Sequence, residues 1–247
     1  YTISGGGDGT YTVTAVNDAL CTGTTSGSAT ITTAPLPTAV VSGGGTICSG
    51  DPIPDVTITL TGTGPWDFTY TDGVTPVSVT GQATSPYTIS GGGDGTYTVT
   101  AVNDVLCTGT TSGSATIVTD PLPTAVISGG GIICIGDPIP SITIALTGNA
   151  PWDFTYTDGV TPVSVTGVAA SPYVIAGSVD GTYTVTALSD ANCTGTSLVG
   201  SATITTNSLP TAVVSGGGTI CSGDPIPDVT ITLTGTGPWD FTYTDGV

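Results

Sequence analysis

Val56, Ile58 and Leu60 alternate with Thr57, Thr59 and Thr61, and a few residues on Trp66, Phe68 and Tyr70 alternate with Asp67, Thr69 and Thr71. A period of two puts one set of side chains on a buried face and the other in water, which predicts β-strands. Tyr97, Val99 and Ala101 continue the pattern against Thr98, Thr100 and Val102. Shorter candidates lie at 39–42, 77–80, 87–90 and 115–119. Between them sit breakers: Gly43-Gly44-Gly45, Gly50-Asp51-Pro52, Asp72-Gly73, and the glycine-rich stretches 62–65, 91–95 and 109–113. No stretch has helical periodicity with caps. Seven short strands in about 86 residues, with turn signals every 8–12, predict an all-β antiparallel sandwich.

The pattern then repeats. The passage from Leu36 to Val74 recurs without a mismatch from Leu209 to Val247, and a diverged copy runs from Leu122 to Val160. Trp66 and Trp152 are 86 residues apart, and Cys134 and Cys221 are 87 apart. The chain is therefore a tandem array. The expected domains are complete repeats at 36–121 and 122–208, flanked by the C-terminal part of a repeat at 1–35 and the N-terminal part of another at 209–247. Because Tyr1 matches Tyr87 and Val247 matches Val74, the expectation is a window on a longer repetitive polypeptide. The terminal pieces should supply three strands each, expose half a core, and be completed by further chain or by a neighbouring copy. The Pro-containing linkers at 33–37 and 119–123 are short, which predicts an extended array with one domain every ~40 Å.

Two features narrow the sandwich to an immunoglobulin-like one. Trp66 falls on the third strand, in phase with Phe68 and Tyr70 as a core residue would be. Asp94-Gly95-Thr96-Tyr97 has the form of a tyrosine corner opening the sixth strand. The ordered segments ICSGD, GPWDFTYTDG, SPYTIS, DGTYTVTAVND and CTGTTSGSATI are similar to the immunoglobulin-like repeats of giant Bacteroidota surface proteins exported by the type IX system, gliding adhesins among them. That resemblance spans essentially the whole chain. It implies an extracellular, cell-surface location and a structural or adhesive role, without identifying a ligand. Asp51-Pro52-Ile53-Pro54 departs from the plain polar run expected there.

Composition removes several classes of function. The chain has no Lys, Arg or His, and all 18 acidic residues are Asp. Without a cation it cannot grip phosphate, so nucleic-acid binding is excluded as a role. It also lacks the usual general bases and oxyanion stabilisers, which argues against an enzyme. The charge is spread thinly, about one Asp every fourteen residues, among β-forming residues, which favours folding over disorder. No apolar run approaches the ~20 residues of a membrane-spanning helix.

The cysteines carry the candidate chemistry. Each whole repeat has two, Cys48 with Cys107 and Cys134 with Cys193, and the partial repeats carry Cys21 and Cys221. Even usage at fixed spacing predicts disulfides in an oxidising compartment. Pairing within a repeat, Cys48–Cys107 and Cys134–Cys193, is the ordinary default. Yet those two loops belong to opposite poles of such a sandwich, separated by ~23 Å of strand, whereas disulfide Cα atoms must approach within about 7 Å. Stacking of repeats would instead bring Cys48 to Cys193 as an interdomain staple. Cys21 and Cys107 would then pair toward the N-terminal side, and Cys134 and Cys221 toward the C-terminal side. Both arrangements stand on sequence alone.

Aspartates recurring in every copy, notably Asp51, Asp94 and Asp104, are calcium candidates, because hard cations take carboxylate oxygens. Their Gly and Pro neighbours equally suit turn carboxylates that accept backbone N–H groups. No cofactor is otherwise expected. The outward threonines are strand formers that could also carry O-glycans. The first reading of function is a repeat segment of an extracellular bacterial fibre or filament, partnered by copies of itself or adjacent repeats. The alternatives are the stalk of a surface adhesin and a module binding surface glycans or calcium.

Overall fold

The computed structural model of the chain describes residues 1–176 and 179–246. Those residues are all-β, and they fall into two compact units, Tyr1–Thr119 and Asp120–Val247.

In the first unit the strands are β1 (Gly9–Thr12), β2 (Ser28–Ile31), β3 (Thr38–Gly43), β4 (Gly45–Cys48), β5 (Val56–Thr61), β6 (Trp66–Thr71), β7 (Pro76–Gln82), β8 (Tyr87–Ile89), β9 (Gly95–Asn103), β10 (Thr110–Gly113) and β11 (Ala115–Asp120), whose last residue falls just beyond it. From β3 onward they form two sheets, ordered β10-β3-β5-β8 and β4-β11-β9-β6-β7. The alternating residues meet between them. Val56, Ile58, Leu60, Trp66 and Phe68 bury against Tyr97, Val99, Val102, Ala115 and Ile117. Phe68 meets the Tyr87 ring edge-on at 5.2 Å.

Two of the glycine clusters expected to end strands do something else, while those at 50–52, 62–65, 72–73 and 91–94 lie between strands as expected. β3 and β4 are one strand that passes from the first sheet to the second at Gly44. The φ there is +69°, and a Cβ would lie 2.5 Å from the Thr116 carbonyl oxygen. Only glycine permits that crossing. β10 and β11 likewise form one strand kinked at Gly113, where β10 runs parallel to β3. Counted this way the repeat has the seven strands expected, with 45–48 and 110–113 added to them as extensions.

The second unit repeats the plan in β12 (Thr124–Cys134), β13 (Ile142–Thr147), β14 (Trp152–Thr157), β15 (Pro162–Val168), β16 (Tyr173–Ile175), β17 (Gly181–Ser189), β18 (Ser197–Val199) and β19 (Ala202–Asn207). Here the crossing strand is unbroken. Residues 124–129 of β12 pair antiparallel with β13, and residues 130–134 pair parallel with β19. Its core mirrors the first, from Ala125 to Ile204.

The terminal pieces form only hairpins, β1 with β2 and β20 (Thr211–Gly216) with β21 (Val229–Thr234). Three strands were expected of each, and two form. The missing ones, residues 1–4 and 239–244, correspond to β8 and β6. β8 needs a β5 to pair with, and β6 needs a β9 and a β7. Residues 1–35 hold no counterpart of β5, and residues 209–247 hold none of β9 or β7.

Candidate functional site: the cysteine turns

Two kinds of turn present the cysteines, and an aspartate three residues away shapes each. At the end of β4 the Cys48 N–H donates to Asp51 Oδ2 at 3.2 Å, and the Asp51 N–H donates to the Cys48 carbonyl at 2.9 Å. Cys134 with Asp137, and Cys221 with Asp224, repeat the pair. In the loop after β9 the order reverses. Asp104 Oδ1 accepts from the N–H groups of Leu106 and Cys107, at 2.9 and 2.7 Å, and Oδ2 accepts from Thr63 at 3.1 Å. The Asp18 carboxylate binds Leu20 and Cys21 in the same way, and Asp190 binds Asn192 and Cys193. In the second unit Asp190 also takes the Asn149 N–H, and Asn192 Nδ2 donates to Asp120 at 2.6 Å.

These hydrogen bonds favour the ionised carboxylate. The Leu106, Cys107 and Thr63 N–H groups hold Asp104 below the usual carboxylate range, and those of Leu20 and Cys21 do the same for Asp18. For Asp190, burial opposes the shift, but the N–H groups of Asn149, Asn192 and Cys193 together outweigh it. The spacings Cys-x-x-Asp and Asp-x-x-Cys occur in every copy of the respective turns. That signal was open to sequence reasoning, which treated the two residue types separately.

Within a repeat the two cysteines stand far apart. Cys134 pairs with Asn207 at the end of β19, beside the start of β17, whereas Cys193 follows the far end of that nine-residue strand. Cys48 and Cys193 are disulfide-bonded. Cys21, Cys107, Cys134 and Cys221 are free thiols. The within-repeat pairings Cys48–Cys107 and Cys134–Cys193 are therefore absent.

The calcium candidates are not brought together. Asp51 and Asp104 serve the two cysteine turns. Asp94 grips the end of β11, taking the Thr119 N–H at 3.1 Å and its hydroxyl at 2.7 Å. Asp94 precedes β9 and Asp104 follows it, so the strand's length separates them. Among the described residues no three His, Cys, Asp or Glu side chains could hold a metal.

Three of the aromatic residues singled out serve the fold. Trp66 and Trp152 are buried, and their indole N–H groups donate to the carbonyls of Thr61 and Thr147 at 2.9 and 3.0 Å. The Tyr97 hydroxyl donates to the Gly93 carbonyl at 2.8 Å, closing the tyrosine corner. On the outer faces threonines pair across strands, Thr38 with Thr61 at 2.7 Å and Thr96 with Thr116 at 3.1 Å. Among the described residues no helix is long and apolar enough to cross a membrane.

The sheet order, buried tryptophan and tyrosine corner define immunoglobulin-like β-sandwich domains. Solved structures of that kind resemble the chain. An I-band fragment of titin, I67–I69, is 14% identical, covering 82% of this chain and 76% of its own, with a TM-score of 0.47. The first two immunoglobulin domains of DIP-gamma are 13% identical over 70% of this chain and 98% of theirs, at 0.41. The ectodomain of mouse nectin-like molecule 4 is 13% identical over 68% and 64%, at 0.38. No protein-family model matches the chain, and no curated protein does.

Proposed function

We propose that the chain is a structural repeat segment of an extracellular fibre, in which a disulfide from Cys48 of one immunoglobulin-like repeat to Cys193 of the next staples neighbours together. The observation that carries this reading is the distribution of oxidised and reduced cysteine. Cys48 and Cys193 are disulfide-bonded, and their within-repeat partners Cys107 and Cys134 are free thiols. The cysteine turns support it, because an aspartate in each repeat holds each cysteine in the same pose. The disulfide-bonded cysteines support an oxidising, extracellular setting, where such bonds persist. Near-identical repeats without a specialised copy suit a load-bearing array better than a ligand-binding module.

The test has two parts. Among variants that keep a single pair of cysteines, one keeping Cys48 and Cys193 should lose both thiols on oxidation while staying monomeric. One keeping Cys48 and Cys107 should keep both. The reverse result would end the staple reading. Electron micrographs of the native assembly should show thick bundled or helical filaments, whereas thin single threads would favour the adhesin stalk.

A further inference from the structure

In the first whole repeat two half-buried tyrosines meet where the two sheets face one another. Tyr70 lies on β6, in the sheet β4-β11-β9-β6-β7, and Tyr87 lies on β8, in the sheet β10-β3-β5-β8. Their ring centroids are 6.2 Å apart at 44°, and Phe68 packs beside both, 6.4 Å from Tyr70 and 5.2 Å from Tyr87. The backbone holds each ring in place. Tyr70 pairs with Val77 on one side and Val99 on the other, and Tyr87 pairs with Ile58. Just before β8 the Ser85 hydroxyl accepts the Leu60 N–H and donates to the Leu60 carbonyl, both at 2.9 Å, which pins the start of that short strand. Tyr156 on β14 and Tyr173 on β16 fill the same places in the second repeat. Phe154 lies 6.4 Å from the first and 5.2 Å from the second, and Ser171 accepts the Leu146 N–H at 2.8 Å.

Apart from the cysteines, little else in a whole repeat competes for an oxidant. The chain has no Met and no His. Trp66 and Trp152 are buried, at 8% and 7% exposure. Tyr97 and Tyr183 are buried as well, at 4% and 3%, and their hydroxyls are tied to the carbonyls of Gly93 and Val179. The accessible phenols are therefore Tyr70 beside Tyr87, and Tyr156 beside Tyr173. Burial pushes the Tyr70 phenol up, and so does Tyr87, with which it shares a hydrogen bond. Burial and then Tyr173 do the same for Tyr156. Tyr70 and Tyr156 are thus neutral at ordinary pH, and oxidation removes a proton along with the electron. The position matters for the fold, because among the described residues no disulfide ties the two sheets within one repeat.

We propose that Tyr70 with Tyr87, and Tyr156 with Tyr173, are oxidative cross-linking sites, each pair coupling to a dityrosine that ties together the two sheets of its sandwich. The co-reactant is hydrogen peroxide acting through a haem peroxidase, a one-electron oxidant. Each phenol gives up one electron and one proton, leaving a phenoxyl radical whose unpaired electron is shared with the ring carbons ortho to oxygen. The two radicals join in a Cε–Cε bond. The hydrogen on each of those carbons then moves to the phenoxyl oxygen, which restores both phenols. The chain loses two hydrogen atoms per bond, and one hydrogen peroxide becomes two waters. In the first repeat the bond closes a loop around β7, the edge strand that otherwise pairs with β6 alone. This inference is independent of the staple, which uses only sulfur and joins one repeat to the next.

The experiment treats the folded chain, its free thiols capped with iodoacetamide, with peroxidase and hydrogen peroxide, and isolates the monomer. Cleavage before aspartate gives peptides 67–71 and 72–93, so coupling of Tyr70 to Tyr87 appears as those two joined, lighter by two hydrogens and fluorescing blue. Peptides 153–157 and 158–179 report the second pair. Because 67–71, 153–157 and 240–244 share one sequence, variants assign the bonds. Tyr70→Phe, which keeps the ring and its packing, should abolish the joined product of 72–93 and spare that of 158–179. Tyr156→Phe should do the reverse, and Tyr243→Phe should change neither. A second measurement needs no variant: in concentrated urea the yield of both joined peptides should fall several-fold, because the fold brings the phenols together. Three results overturn the proposal: no joined peptide in the folded monomer, a 72–93 product that survives Tyr70→Phe, or an equal yield in urea.

Discussion

Asp104 takes three backbone N–H groups, and that single carboxylate fixes the pose of Cys107. Because these bonds lower its affinity for protons in the fold, unfolding takes up protons once the pH nears the ordinary carboxylate value of 3.8. Asp18 and Asp190 behave alike. Stability is therefore expected to be level above that pH, and to fall as the pH drops through the lowered native values. Urea midpoints measured from pH 7 to pH 3 check this. Asp104→Asn keeps an acceptor but no proton to gain, so it should flatten the acid limb, whereas Asp104→Ala should lower the midpoint at every pH. At the tyrosine corner, Tyr97→Phe removes one hydroxyl bond to Gly93, with an expected loss of about 1 kcal/mol in the same assay. Sequence reasoning placed the tyrosine corner because its spacing is local. It missed the Asp104–Thr63 bond, because that contact joins loops 41 residues apart.

At the scale of elements, period-two alternation made the strand positions legible. The 56–61 and 66–71 alternations fall on β5 and β6 residue for residue. Glycine was the misleading signal. Gly43-Gly44-Gly45 reads as a stop, but in the fold it lets one strand cross between sheets, a property of tertiary context that local sequence does not encode. The crossing is a sharp target for mutation. In Gly44→Ala a methyl group must occupy space 2.5 Å from the Thr116 carbonyl, at a φ that L-residues avoid. The expected loss is roughly 1–3 kcal/mol. Gly93→Ala, with nothing within 4 Å of the new methyl, should stay within about 0.5 kcal/mol of the parent. Urea unfolding followed by tryptophan fluorescence reads both, and the unaltered repeat with Trp152 serves as an internal reference. Equal shifts in the two variants would contradict this account of the crossing.

For the whole molecule, the staple alters what force can do. If Cys48 is bonded to Cys193, about 145 residues lie inside one covalent loop, and pulling on the ends cannot extend them. Load then passes only through the residues outside the loop, 1–48 and 193–247. Single-molecule pulling of the oxidised chain should extend only the residues outside the loop. Adding a reductant under load should then release one step of about 520 Å, at ~3.6 Å per residue. Bonds confined within repeats would enclose 59 residues each, and would give two steps of about 210 Å instead. The step length therefore reports the connectivity, and a single long release would tie the periodic cysteines to the resistance of the array against stretching.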